Sequence, residues 1–132
     1  MRIDRLVAPM LALALLAACA SAPPRPVRSE FEDIPVPKGL AYQSGKSTII
    51  ESPTVKAARL VYRGRLEVDS LTVAMRTTLE ANGWRHVSST TGSHGTTQVY
   101  EKAGSSLEVR LWEGLIYTYV ELTASRSLQP PK

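Results

Sequence analysis

Along residues 105–125 the apolar side chains fall on every second position: Leu107, Val109 and Leu111 lead up to Glu113-Gly114, and Val120 and Leu122 follow. A period of two is that of a half-buried β-strand, whose successive side chains point to opposite sides of a sheet. Earlier in the chain the same alternation sets Ala58, Leu60 and Tyr62 against Arg59, Val61 and Arg63, with the even positions expected to face inward. A chain with several such runs must build a sheet with one apolar face, and another element has to cover that face.

Residues 70–82 supply the cover. Leu71, Met75, Thr78 and Leu79 recur at helical spacing, Asp69 is placed to cap the start and Gly83 to stop the helix. Around this helix, strands are expected at 41–52, 54–68, 84–90, 96–103, 106–113 and 115–125, separated by glycine-containing turns. Tight hairpins make the sheet antiparallel. The expected fold is therefore α+β, an antiparallel sheet of about five or six strands covered on one face by a single helix, in the order β-β-α-β-β-β-β. The composition, 43% hydrophobic and 21% charged, is that of an ordinary globular domain. One domain is expected over residues 33–125, with a tail at 126–132.

Residues 1–32 read differently. Arg2 and Arg5 precede an almost uninterrupted apolar run from Leu6 to Ala18, the charged and apolar regions of a secretory signal, expected over residues 1–18. The run ends Leu16-Ala17-Ala18-Cys19, which looks like the lipobox of bacterial lipoproteins. The small residues admit the backbone to a peptidase cleft, and the thiol of Cys19 is the nucleophile that accepts a diacylglyceryl group. Two other readings stay open. Ala18-Cys19-Ala20 also fits an ordinary signal peptidase, and an uncleaved span is conceivable, although the run falls short of roughly 20 residues and contains Pro9. Lipidation would make the membrane a partner through acyl chains on Cys19. Residue 20 is Ala rather than the Asp that retains enteric-type lipoproteins at the inner membrane, so the periplasmic face of the outer membrane is the expected location. Residues 19–32, with Pro23, Pro24 and Pro26, read as a tether.

Four further segments point the same way: Asp33-Ile34-Pro35-Val36-Pro37, the strand Arg59-Leu60-Val61-Tyr62-Arg63-Gly64, Asn82-Gly83-Trp84 and Tyr100-Glu101-Lys102. Together they resemble a family of small bacterial lipoproteins of unknown function, over most of residues 30–124. The matching motifs are turn glycines, prolines and core aromatics. The resemblance implies fold and location, and no catalytic residue is carried over with it.

The search for chemistry excludes more than it finds. Loss of residues 1–18 leaves 14 basic and 11 acidic residues, a net charge of +3, with Arg and Glu interspersed rather than gathered along one face, so no nucleic-acid partner is expected. Ser44-Gly45-Lys46-Ser47 is similar to the end of a phosphate-binding loop, but Leu40 stands where the first glycine belongs and Thr48-Ile49-Ile50 continues as a strand; a turn is expected. His86 and His94 are too few for a zinc site once Cys19 is acylated, and no metal or cofactor is expected. Ser88, Ser89 and Ser93 lack a nucleophile elbow, and Glu108 and Glu121 read as surface carboxylates of a sheet. The chain is not expected to be an enzyme.

The last hairpin is the most informative surface. With Glu113-Gly114 as its two-residue turn, residue 112 opposes 115, 110 opposes 117 and 108 opposes 119. Leu107, Val109, Leu111, Ile116, Val120 and Leu122 then share the core face. Arg110, Trp112, Tyr117 and Tyr119 share the other face, beside Leu115, Glu108 and Glu121. Trp, Tyr and Arg are the side chains in which binding hot spots are enriched. The face is therefore the candidate binding surface of an interaction module for an envelope protein, or alternatively of a domain that binds a small glycan or lipid. The competing explanations are that aromatic and Arg pairs simply stabilise an exposed sheet, or that the tether folds over them.

Overall fold

The computed structural model describes Phe31 and residues 34–128. The signal segment, Cys19, nearly all of the tether, Asp33 and residues 129–132 lie outside the described residues. Seven strands, β1 (Ala41–Tyr42), β2 (Thr48–Glu51), β3 (Val55–Gly64), β4 (Arg85–Gly92), β5 (Gly95–Lys102), β6 (Ser105–Glu113) and β7 (Thr118–Ser127), form one sheet with a single helix, α1 (Val68–Ala81). The fold is α+β, as the alternation and the lone helical segment require.

Every pairing is antiparallel, and the strand order is β1-β3-β7-β6-β5-β4, with β2 beside β1 on the same edge of β3. β4 to β7 form a meander that returns to β3 through successive hairpins. The connection from β3 to β4 must cross from one side of the sheet to the other, and α1 makes that crossing, so the helix lies over one face only. It buries Leu71, Met75 and Leu79 against that face. Gln98, 2% exposed, ties the two layers: its Nε2 donates to the Thr72 carbonyl and its Oε1 accepts from the Tyr100 hydroxyl. The rest of the covered face is filled by Phe31, Ile34, Val36, Leu40 and Leu66.

The end of α1 follows the sequence signal. Gly83 takes φ +87°, its N–H donates to the Glu80 carbonyl, and the Trp84 N–H donates to the Leu79 carbonyl, the paired closure of a Schellman motif. Lys102 of β5 adds a hydrogen bond from its ammonium to the Asn82 carbonyl at 2.6 Å. The start differs from expectation. α1 begins at Val68 with Glu67 in the cap position, and Asp69 lies inside the first turn, where its carboxylate faces the positive end of the helix dipole.

Two strand expectations also change. The strand expected at 41–52 is broken by a 3₁₀ turn, Ser44–Lys46, held where Ser47 Oγ donates to the Gln43 carbonyl and accepts the Val61 N–H. β7 continues to Ser127, so the first two residues of the expected tail belong to the sheet.

The last hairpin is registered four residues away from expectation. Glu113 pairs with Thr118, Trp112 with Tyr119 and Arg110 with Glu121. The Gly114 N–H donates to the Tyr117 carbonyl at 2.7 Å, so Leu115 and Ile116 are the two turn residues. Ile116 is 69% exposed and is not part of the core, and Leu115 is fully exposed rather than on a strand. A shift by an even number preserves the alternation. Leu107, Val109, Leu111, Val120 and Leu122 are accordingly all buried on the helix side.

Candidate functional site

The face opposite the helix carries the side chains singled out for binding. Its centre consists of two neighbouring cross-strand rows on β3, β7 and β6: Val61, Glu121 and Arg110 in one, Arg63, Tyr119 and Trp112 in the next. Directly opposed residues on one face stand about 5 Å apart at Cβ, close enough for each row to interact along its length.

In the first row Glu121 is the buried charge. Its side chain is 8% exposed, and two guanidinium groups hold it, Arg59 at 2.6 Å and Arg110 at 3.9 Å. A carboxylate withdrawn from water this far requires such partners. The hydrogen bond from Arg59 to Glu121, reinforced by the carboxylate's charge, holds the Arg59 guanidinium above its ordinary value. Val61, 2% exposed, floors the space between them.

In the second row the rings of Trp112 and Tyr119 stack, with centroids 5.5 Å apart and planes 14° from parallel. The guanidinium of Arg110 lies 5.9 Å from the Trp112 ring and the ammonium of Lys46 lies 4.9 Å from the Tyr119 ring. Cations over aromatic faces are attracted by the ring quadrupole. Lys46, Arg59, Val61, Trp112, Tyr119 and Glu121 together line a cleft of about 440 Å³. Beyond the end of the strands, Tyr117 carries Arg63 at 4.5 Å and Arg65 at 5.5 Å from its ring centre.

Of the four expected surface residues, Arg110, Trp112 and Tyr119 come together in these rows. Tyr117 does not. It closes the hairpin turn, one step beyond the sheet, in a cluster with the two arginines. Sequence reasoning missed Lys46, which only the 3₁₀ turn swings over Tyr119, and it read Glu121 as a surface carboxylate. The alternation of Arg59 and Arg63 with inward residues was the available signal for the cations.

The remaining candidates are dispersed. His86 and His94 do not meet: His86 lies on β4, its ring edge-on to Tyr100 at 5.4 Å and its Nε2 2.7 Å from Ser89 Oγ, across the bulge at Val87. His94 sits in the β4–β5 turn with Ser93. Glu108 pairs with Thr123, two positions along from Glu121. Among the described residues no group of three or more His, Cys, Asp or Glu could hold a metal ion, and no helix is long and apolar enough to cross a membrane. Compared with known proteins, the chain matches no family model, no curated protein and no solved structure.

Proposed function

We propose that this chain is a cell-envelope lipoprotein, held through acyl chains on Cys19 at the periplasmic face of the outer membrane, and that its open sheet face docks an acidic surface of a protein partner. The reading is of a binding module rather than an enzyme. The anchor rests on Leu16-Ala17-Ala18-Cys19 after a charged and apolar leader. The docking role rests on one observation: the open face gathers Lys46, Arg59, Arg63, Arg65 and Arg110 around three half-buried aromatic rings, with Glu121 already engaged by two of the arginines.

The geometry favours a protein over a glycan. A sugar stacks on a free flat ring, whereas Trp112 and Tyr119 stack on each other and carry Arg110 and Lys46. What remains outward is guanidinium groups and ring edges, the chemistry of a polar protein interface. A photo-crosslinking amino acid at position 119 of the full chain in cells should yield a discrete protein adduct, while one at Arg76 on the helix should not. Tyr119→Ala with Trp112→Ala should remove co-purification of that protein with the fold intact. Adducts of equal yield at 76 and 119 would reject the face as a docking surface. For the anchor, palmitate incorporation should be lost in Cys19→Ala; incorporation that persists would reject lipidation at this residue.

A further inference from the structure

The β6–β7 turn lacks the residues usual for a two-residue hairpin and exposes two apolar ones instead. Two-residue hairpin turns favour Asn-Gly, Asp-Gly or Gly-X, because the matching backbone twist needs positive φ. Leu115 and Ile116 occupy both central positions at negative φ, since Ala103 is the one non-glycine residue at positive φ among the described residues. Leu115 is 107% exposed and Ile116 69%. They add nothing to the core. Local choices that disagree with the fold are expected where function makes the selection.

The protrusion is held firmly. A Cβ on Gly114 would sit 2.7 Å from the Tyr119 ring and 3.0 Å from the Tyr117 carbonyl oxygen, so only glycine lets the turn lie against the aromatic row. Tyr117, next to the two apolar residues, has the guanidinium groups of both Arg63 and Arg65 against its ring. Charge around the turn is positive on balance, Arg63 and Arg65 against Glu113. Its direction is set by where the chain enters the domain. Phe31 and Ile34 line a cleft with Trp84, Ala103 and Arg126, at the β5–β6 end of the sheet. β6 then runs about 30 Å, nine residues at roughly 3.4 Å each, to the other end. Leu115 and Ile116 therefore stand at the end of the sheet opposite Phe31, where the described chain begins.

We infer that this turn is the leading element of the docking surface: Leu115 and Ile116 insert as a pair into an apolar pocket of the partner protein, and carboxylates on the pocket rim receive Arg63 and Arg65. The inference rests on the docking reading above and adds the recognition element and the chemistry of the partner. An apolar projection with two guanidinium groups beside it would supply both the desolvated anchor and the oriented charge of a hot spot.

The experiment uses the full chain in cells, with the photo-crosslinking amino acid at position 116, at 119 or, as reference, at Val73 on the helix. Positions 116 and 119 should capture the same protein, and the segment joined to 116 should be apolar with adjoining Asp or Glu. Arg63→Glu with Arg65→Glu should remove the 116 adduct. The decisive variant is Leu115→Asn with Ile116→Gly, which removes only exposed side chains; it should leave Tm nearly unchanged while lowering the adduct yield from 119 roughly tenfold or more. An unchanged yield from 119 in that variant overturns the inference and leaves the docking face standing. Lipid adducts from 116 would overturn it in favour of a membrane-contacting loop. Absence of an adduct at both 116 and 119 would overturn the inference and the docking reading together.

Discussion

Leu60, Leu122 and Val109 make one cross-strand row, and the residues beside them in each strand, Val61, Glu121 and Arg110, make the next row on the opposite face. The first row has no solvent exposure and lies in the core beneath the helix. The second embeds a carboxylate between guanidinium groups whose own side chains remain about half exposed, 56% for Arg59 and 51% for Arg110. The first arrangement gains stability from every methylene it removes from water. The second gains little, because the desolvation of Glu121 offsets most of its attraction to the arginines. Apolar residues in the second row would make a more stable isolated domain. On the docking proposal, the row is kept for what its arginine edges, beside the aromatic row, would offer a partner.

The contrast is broken most directly by large-to-small changes in the core row. Leu122→Ala should destabilise the domain by about 3 kcal/mol, from lost transfer energy plus the cavity left between β3 and β6. Glu121→Gln, the neighbouring residue on the other face, should cost less than about 1 kcal/mol, since its arginine partners are left in water rather than in the core. Urea unfolding of both variants measures the difference. Equal losses would show that the open row serves stability and would remove the main argument for docking.

The core face contains one titration of its own. Burial pushes the Tyr100 hydroxyl up to about 12, where it donates to Gln98 Oε1. The folded value lies above the unfolded value of about 10, so the contribution is complete below pH 10 and is lost as pH rises toward 12. Over that window stability should fall by at most about 3 kcal/mol, two pKa units at roughly 1.4 kcal/mol each. Tyr100→Phe should flatten this alkaline limb while lowering stability near neutral pH, where the Gln98 acceptor loses its donor. An alkaline limb of unchanged steepness in the variant would place the titration elsewhere.

How these features stood in the sequence follows from which forces wrote them. The buried faces were legible because burial imposes a period on every strand, and Leu107, Val109 and Leu111 show it without interruption. Asn82-Gly83-Trp84 announced the helix end because only a residue tolerant of positive φ fits there. The hairpin register was not legible. Glu113-Gly114 has the better turn chemistry, yet the chain turns at Leu115-Ile116, and the face assignment survived only because the shift of four is even. Lys46 and Glu121 were illegible for another reason: the placement of one depends on a 3₁₀ turn that interrupts a strand-like run, and the burial of the other depends on two arginines distant in sequence.

The turns at the two ends of β6 give the smallest and sharpest test of the comparison. At the β5–β6 end Ala103 takes φ +47° and Gly104 φ +80°, the conformation that suits the strand twist, with a residue that tolerates it poorly at the first position. At the β6–β7 end the residues are apolar and branched, and neither adopts positive φ. Ala103→Gly relieves the steric cost of a Cβ in the left-handed region, against a greater loss of freedom in the unfolded chain. A gain in stability of about 0.5 kcal/mol should result, with no effect on docking, because this turn lies at the end where the chain enters the domain. Leu115→Asn with Ile116→Gly removes only exposed side chains and should leave Tm nearly unchanged, yet it should weaken docking. Loss of docking without loss of stability is the outcome expected of a turn that serves a partner; docking left intact by both substitutions would make the β6–β7 turn an ordinary loop.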